Sequence, residues 1–204
     1  MPRIRPRVPT AVRVAVLASA VLASAAVTSA ALAGATQTRT IIYQAFTSAG
    51  KPAIHVTNTS RGHCVGGSSA INRSDAWRCF TGNFVYDPCF SSSKATGLVL
   101  CPVGPWTSAG VEIKLAAALT GANKGKPSTS GNPWAVETTS GAKCELATGA
   151  TSILDHRRAN YFCQTGKDVL WGSPSRKSQP WTIFSAPATA TKLTKMVKLG
   201  VAWF

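Results

Sequence analysis

The feature that most limits how this chain can fold is its six cysteines. None of them forms a Cys-x-x-Cys or a close Cys/His cluster of the kind that binds zinc. An even number of cysteines in an exported chain indicates disulfides instead. Many pairings are open to six cysteines, and we expect each one to bond with its neighbour in the sequence. The predicted bridges, each worth about 3 kcal/mol as a short closed loop, are Cys64–Cys79, Cys89–Cys101 and Cys144–Cys163.

The N-terminal residues have the order of a secretory signal peptide. A basic head is followed by an apolar run over 14–32, and Ala31-Leu32-Ala33 offers small residues where a signal peptidase cuts. The run is mostly Ala, Ser and Val, so we expect cleavage after residue 33, with retention as a membrane anchor as the alternative. Residues 1–33 are therefore predicted to be a signal peptide and 34–204 one secreted domain, extracellular or at the cell envelope, with no stable membrane span after cleavage.

The predicted domain is strongly basic. Of the 22 Lys and Arg residues of the chain, four lie in the basic head, which leaves 18 against 7 Asp and Glu, a net charge of +11. Such a charge favours contact with anionic polymers. The basic residues are scattered, with Arg157-Arg158 and Arg176-Lys177 as the adjacent pairs, whereas nucleic-acid-binding proteins concentrate them on one element. We therefore expect an anionic cell-wall polymer or another exported protein as the partner, and not nucleic acid.

The mature part has the pattern of short strands separated by turns. Apolar residues alternate with others over 111–119, which predicts a strand, with an Ala-rich helix as the alternative for the second half. Residues 197–203 alternate in the same way and favour a last strand over an amphipathic helix. Further strands are predicted at 41–46, 53–57, 160–164 and 169–171. About ten short strands with regular turns predict an all-β fold, a small disulfide-stapled sandwich or barrel.

One predicted hairpin defines its own register. Thr139-Ser140-Gly141 is expected to be a three-residue loop whose glycine takes the left-handed conformation. This loop sets Val136 opposite Cys144 and Glu137 opposite Lys143, so the apolar side chains share one face and the opposite charges share the other. A two-residue loop would mix the two faces, so the register favours three residues.

Three Pro-Trp pairs raise the question of whether their tryptophans contact a ligand. Trp134 and Trp181 begin strands with an apolar face and are expected to be buried. Trp106 precedes a loop-like stretch and is expected to be partly exposed. The candidate ligand contacts are therefore Trp106 and the two basic pairs, Arg157, Arg158, Arg176 and Lys177.

Residues 121–132 contain no large apolar side chain, which is typical of a loop or linker. With neighbour pairing, no disulfide crosses this stretch. It is therefore a candidate boundary between two lobes, 34–120 and 133–204.

The sequence contains no motif of a known catalytic or cofactor site. It has no Gly-x-Ser-x-Gly elbow, Gly-rich phosphate loop, calcium loop or HExxH. We predict no catalytic residue, no metal and no cofactor, and we favour a non-enzymatic protein of the cell envelope or extracellular space. One alternative is a secreted hydrolase (protease) inhibitor that presents residues 83–88 or 91–97. Another is a small secreted hydrolase that uses His156 and Asp155.

Four segments resemble a pattern in exported six-cysteine proteins of actinobacteria. They are DAWRCFTGNFVYDPCF (75–90), PWAVETTSGAKCELATGAT (133–151), RRANYFCQTG (157–166) and the closing GVAWF. In that pattern too, the cysteines lie between aromatic residues and the chain ends on an aromatic strand. The similarity covers most of residues 60–204. Those proteins have no established activity, so the resemblance implies an exported protein and carries over no catalytic residue.

Overall fold

The computed structural model describes residues 36–164 and 167–204. Within these ranges the chain forms β-strands and no helix, which confirms the all-β prediction. Accordingly, no helix of the described part is long and apolar enough to cross a membrane. The predicted signal peptide, residues 1–33, lies outside the described residues.

After a short strand β1 (Arg39–Ile41), five strands close into a first barrel. Successive strands pair antiparallel, so the fifth runs in the same direction as the first, and the pair that closes the barrel is parallel. Closure removes the exposed edges that an open sheet of this size would have. The five strands are β2 (His55–Gly67), β3 (Ala76–Thr81), β4 (Phe84–Ser92), β5 (Ala95–Pro102) and β6 (Ala109–Leu115).

The second barrel has an even number of strands and therefore closes antiparallel. Its ring is β7 (Ala135–Thr138), β8 (Lys143–Leu146), β10 (Arg157–Cys163), β11 (Asp168–Ser175), β12 (Thr182–Pro187) and β13 (Lys195–Trp203). Pairing of β13 with β7 closes the ring. The two-residue β9 (Ile153–Leu154) adds to β10, and β1 pairs parallel with the end of β13. Thus β1, which precedes the first barrel, belongs to the sheet of the second.

The predicted hairpin is confirmed in every pair. Val136 lies opposite Cys144 and Glu137 opposite Lys143. The loop glycine, Gly141, has a φ of 87°, the left-handed conformation that a three-residue loop requires. The separation of apolar and charged side chains onto opposite faces of the hairpin was therefore enough to predict this register.

All three predicted disulfides are present: Cys64–Cys79, Cys89–Cys101 and Cys144–Cys163. Each one joins two antiparallel strands that are neighbours in a barrel, with Cα atoms 3.9 to 4.1 Å apart. No free cysteine remains among the described residues. Disulfides form and persist in oxidising compartments, so the bridges favour such an environment.

Each barrel encloses its own apolar core. Trp181 is 6 % exposed and shares its cluster with Ile183, as predicted; Trp134 is 3 % exposed and lies where the two barrels meet. The first interior consists of Trp77, Cys79, Cys89, Val99, Cys101, Val111 and Ile113. The second consists of Val136, Cys144, Tyr161, Leu170, Trp181, Ile183, Leu199, Ala202 and Phe204.

The other strand predictions hold to different extents. The last strand is confirmed as β13, and the hairpin of β10 and β11 is confirmed by its pairing. The strand predicted over 111–119 ends at Leu115, and the helical alternative for its second half does not occur. Of the predicted strand 41–46, only the first residue belongs to β1, and Phe46 forms an isolated bridge with Pro52.

Candidate functional site

The two barrels meet across an aromatic core. Tyr43 packs between Phe90 of the first barrel and Trp134 of the second, with ring centroids 5.3 and 5.5 Å from its own. Burial raises the pKa of Tyr43 to about 12, so its phenol is neutral at physiological pH. Trp106 stacks edge-on against Trp203 at 5.7 Å. These aromatic contacts hold the two barrels together, so a cleft between the barrels must lie beside them.

Arg73, in the loop between β2 and β3, is the main polar group of this junction. It is 1 % exposed. Its guanidinium forms a two-point ion pair with Asp75, at 3.0 and 2.6 Å, and donates to the main-chain oxygens of Tyr43 and Phe204 at 2.8 and 3.2 Å. It also lies 4.9 Å from the centre of the Phe90 ring. A buried arginine needs such partners, because an unpaired buried charge is strongly destabilising.

A polar cleft of about 510 Å³ lies over this arginine, and we call it the seam cleft. One side is the loop between β2 and β3, and the other is the chain that links the barrels. Leu146 and Phe204 from the second barrel complete it. Its polar side chains are Ser68, Ser69, Asn72, Arg73, Asn123, Lys126, Ser128, Ser130 and Asn132.

The linking chain is fastened to both barrels. The Asn123 amide donates to the carbonyls of Ser68 and Ile71 at 2.8 and 3.1 Å. On the other side, Arg176 donates to the carbonyls of Thr129 and Gly131. The predicted loop 121–132 is therefore free of strands and helices, as expected, and it also forms a wall of the cleft.

The chemistry of the seam cleft suits an anionic or hydroxylated ligand. No Asp or Glu side chain lines it among the described residues, although the chain has seven of them. Lys126 is exposed, and its ammonium has no hydrogen bond or ion pair within the described ranges. Amide and ammonium donors bind oxyanions well, because hydrogen bonds to charged acceptors are about twice as strong as neutral ones.

The residues predicted to contact a ligand are not brought together. Arg158 is held by hydrogen bonds to Asn160 and to two main-chain carbonyls of its own barrel. Arg157 lies 4.6 Å from the centre of the Phe184 ring. Trp106 is half-buried, as expected, but it packs on Trp203. These three side chains therefore have structural contacts of their own.

The second basic pair lies near the seam cleft without lining it. Arg176 fastens the linking chain and covers the faces of Trp181 and Phe204, at 4.3 and 5.3 Å from the ring centres. Lys177 is exposed beside it. Of the sequence candidates, Arg176 is thus the one that supports the cleft.

His156 and Asp155 form the two-residue turn between β9 and β10. Both have positive φ, 59° and 47°, and both are exposed. The Asp155 carboxylate accepts from the main-chain N–H of Leu193 at 2.8 Å. His156 makes no hydrogen bond to a serine or an acid within the described chain, so this geometry gives a hydrolase no support. The described residues also contain no group of three His, Cys, Asp or Glu that could hold a metal ion.

The two segments considered for protease inhibition belong to hairpins of the first barrel. Residues 83–88 run from the β3–β4 turn into β4, and 91–97 span the turn between β4 and β5. Phe84 at the first turn is 71 % exposed. Neither segment is a long extended loop of its own.

Sequence analysis missed the residues that build the seam cleft. Asn72, Arg73, Asn123 and Lys126 lie in two segments that are far apart along the chain and carry no motif. The polar composition of 121–132 is a usable signal, but by itself it predicts only a loop or linker. Comparison with protein-family models, with curated proteins and with solved structures found no match to this chain.

Proposed function

We propose that this protein is exported and binds an anionic cell-wall polymer in the seam cleft. The observation that carries the proposal is the composition of the cleft, in which cationic, amide and hydroxyl side chains meet and no Asp or Glu side chain is present among the described residues. A polymer of polyol phosphates matches it, since its phosphates accept from ammonium and amide groups and its hydroxyls bond with serine and asparagine.

Two properties of the whole molecule support the same conclusion. The net charge of +11 over residues 34–204 attracts polyanions at long range. Three disulfides suit a protein that works outside the cytosol. Binding requires no chemical step, so the proposed function is a non-enzymatic one.

The test is retention of the protein on immobilised polyglycerol phosphate at increasing salt. We expect retention at low salt and release at moderate salt, because screening shortens the range of charge attraction to about 8 Å at physiological ionic strength. Lys126→Gln should weaken binding about two- to fivefold, the value of one exposed charge pair.

The matched control is Lys192→Gln, which removes the same charge from an exposed lysine that does not line the seam cleft. It should leave the affinity within error of wild type. Equal weakening by the two substitutions would show that binding is due to general charge attraction and that the cleft is not the site. Absence of retention at low salt would overturn the proposal altogether.

A further inference from the structure

A second cavity lies beside the seam cleft along the same junction. It has a volume of about 450 Å³, and Leu146 lines both cavities. Arg78 and Asp87 face it from the first barrel, and Glu145 and Phe162 face it from the second. Phe162 is directly opposite Glu145 in the pairing of β8 with β10. We call it the Glu145 cavity, after the carboxylate in its wall that has no partner among the described residues.

Asp87 acts here as a fixed support and not as a free acid. Its side chain is 2 % exposed. It accepts from the Ser68 hydroxyl and, at 3.0 Å, from the Ser69 main-chain N–H. Arg78 approaches it through Nη1 at 3.6 Å. These contacts hold the arginine at the cavity wall.

Arg78 keeps unused donors. All its polar contacts among the described residues are made by Nη1, to Asp87, to the Ser69 hydroxyl and to the Thr148 carbonyl. A guanidinium has five N–H donors, so those on Nε and Nη2 remain without a partner in the described chain. The side chain is 28 % exposed, which leaves it accessible from the cavity.

Glu145 presents an acceptor without a donor. Its carboxylate has no hydrogen bond or ion pair within the described ranges, and burial raises its pKa. Space for it depends on Gly104: a Cβ at that position would lie 3.0 Å from Glu145 Oε1 and 2.9 Å from Trp106 Nε1. Gly104 also has a φ of 139°, which side chains rarely adopt.

Phe162 adds an accessible ring to this polar set. It is 47 % exposed and lies near the end of β10. An aromatic face next to free donors and a free acceptor is the combination that a sugar ring satisfies, because one face of the sugar is rich in C–H groups and its rim carries hydroxyls that both donate and accept.

The charges decide the ligand class. An anionic ligand would be repelled by the Glu145 carboxylate, and a cationic amine would be repelled by the Arg78 guanidinium. An uncharged polyhydroxyl ring is repelled by neither and can form hydrogen bonds with both groups. We propose that the Glu145 cavity binds an uncharged sugar ring of a polysaccharide, with the ring stacked on Phe162 and its hydroxyls bonded to Glu145 and Arg78.

The test is chemical-shift perturbation in isotope-labelled protein titrated with three neutral probes: chitotetraose, cellotetraose and maltotetraose. At least one should shift the main-chain amides of Ala147, Thr148 and Gly149, with a Kd on the order of 1 mM or tighter. Salt should leave this affinity unchanged, which separates it from polyanion binding in the seam cleft.

Three variants locate the ligand. Phe162→Ala should weaken binding about fivefold, the value of one stacking contact. Glu145→Gln should weaken it about tenfold, the value of a hydrogen bond to a charged group. Ile153→Ala is the control, since Ile153 is 75 % exposed and does not line the cavity.

Two kinds of result would overturn the proposal. One is the absence of shifts with all three probes at about 10 mM, ten times the expected Kd, or equal binding by wild type and both cavity variants. The other is a preference for charged monosaccharides: tighter binding of glucosamine would assign the cavity to amines, and tighter binding of glucuronate would assign it to anions.

Discussion

The two barrels reach a closed β-structure by different means. The first encloses a core of seven buried residues, three of which are half-cystines, and two disulfides join its strands. The second has one disulfide, and its core is built on Tyr161, Trp181, Phe204 and several large aliphatic side chains. Burial of one large apolar side chain contributes about 1.5–3 kcal/mol, so the second barrel has more apolar stabilisation of its own.

This difference shows what cysteines replace in a small β-domain. A five-stranded ring leaves little interior volume, and a sulfur bridge across two adjacent strands fills part of it while restricting the unfolded chain. A six-stranded ring has room for more aromatic side chains and needs less covalent support. The two barrels should therefore respond differently to loss of disulfides and to loss of apolar volume.

The largest effect is expected from removing both disulfides of the first barrel by substituting Cys64, Cys79, Cys89 and Cys101 with Ala. We expect a loss of about 6 kcal/mol, about 3 for each short loop, which is comparable with the whole stability of many domains. Hydrogen exchange measured by mass spectrometry should show lost protection in β2–β6 and retained protection in β10–β13. The control, Cys144→Ala with Cys163→Ala, should cost about half as much. Equal loss of protection in both barrels would mean that they unfold as one unit.

A smaller effect is expected from removing apolar volume in the second barrel. Leu199 is fully buried there, and Leu199→Ala should lower the free energy of unfolding by about 3 kcal/mol. The matched change in the first barrel is Ile113→Ala, also at a fully buried position. Hydrogen exchange with and without a reductant separates the two barrels: in both variants reductant should remove more protection from β2–β6, which has two disulfides, than from β10–β13. Equal loss of protection in the two barrels on reduction would contradict the difference between the two cores.

Features of the structure that depend on residues close along the chain could be predicted from the sequence. The hairpin over 136–144 and the three disulfides are of this kind. The closure of two rings is not, since pairing of β6 with β2, or of β13 with β7, joins residues far apart with no shared motif. Both cavities lie where such distant segments meet, so their residues were missed.

The barrels also differ in whether their acidic side chains at the junction have ion-pair partners. Asp75 and Asp87, from the first barrel, are paired with Arg73 and Arg78. Glu145, from the second, has no such partner among the described residues. An unpaired, partly buried carboxylate is a cost to stability, and such costs are common at sites that bind ligands.

The smallest predicted effect comes from Glu145→Gln and depends on pH. Burial raises the pKa of Glu145 above its ordinary value of 4.5, so the folded protein binds this proton more tightly than the unfolded chain does. The stabilising contribution is complete at pH values below 4.5 and is lost as pH rises through the raised pKa. The glutamine variant cannot lose a proton, so it should be more stable than wild type at pH 7, and this advantage should shrink as the pH falls through the raised pKa of Glu145 towards 4.5. Urea unfolding across that range measures it.

Asp87→Asn should act in the opposite direction at pH 7, because that carboxylate accepts from Ser68, Ser69 and Arg78. A glutamine variant less stable than wild type at pH 7 would show that Glu145 has a stabilising partner, and the contrast between the two sides of the junction would no longer hold.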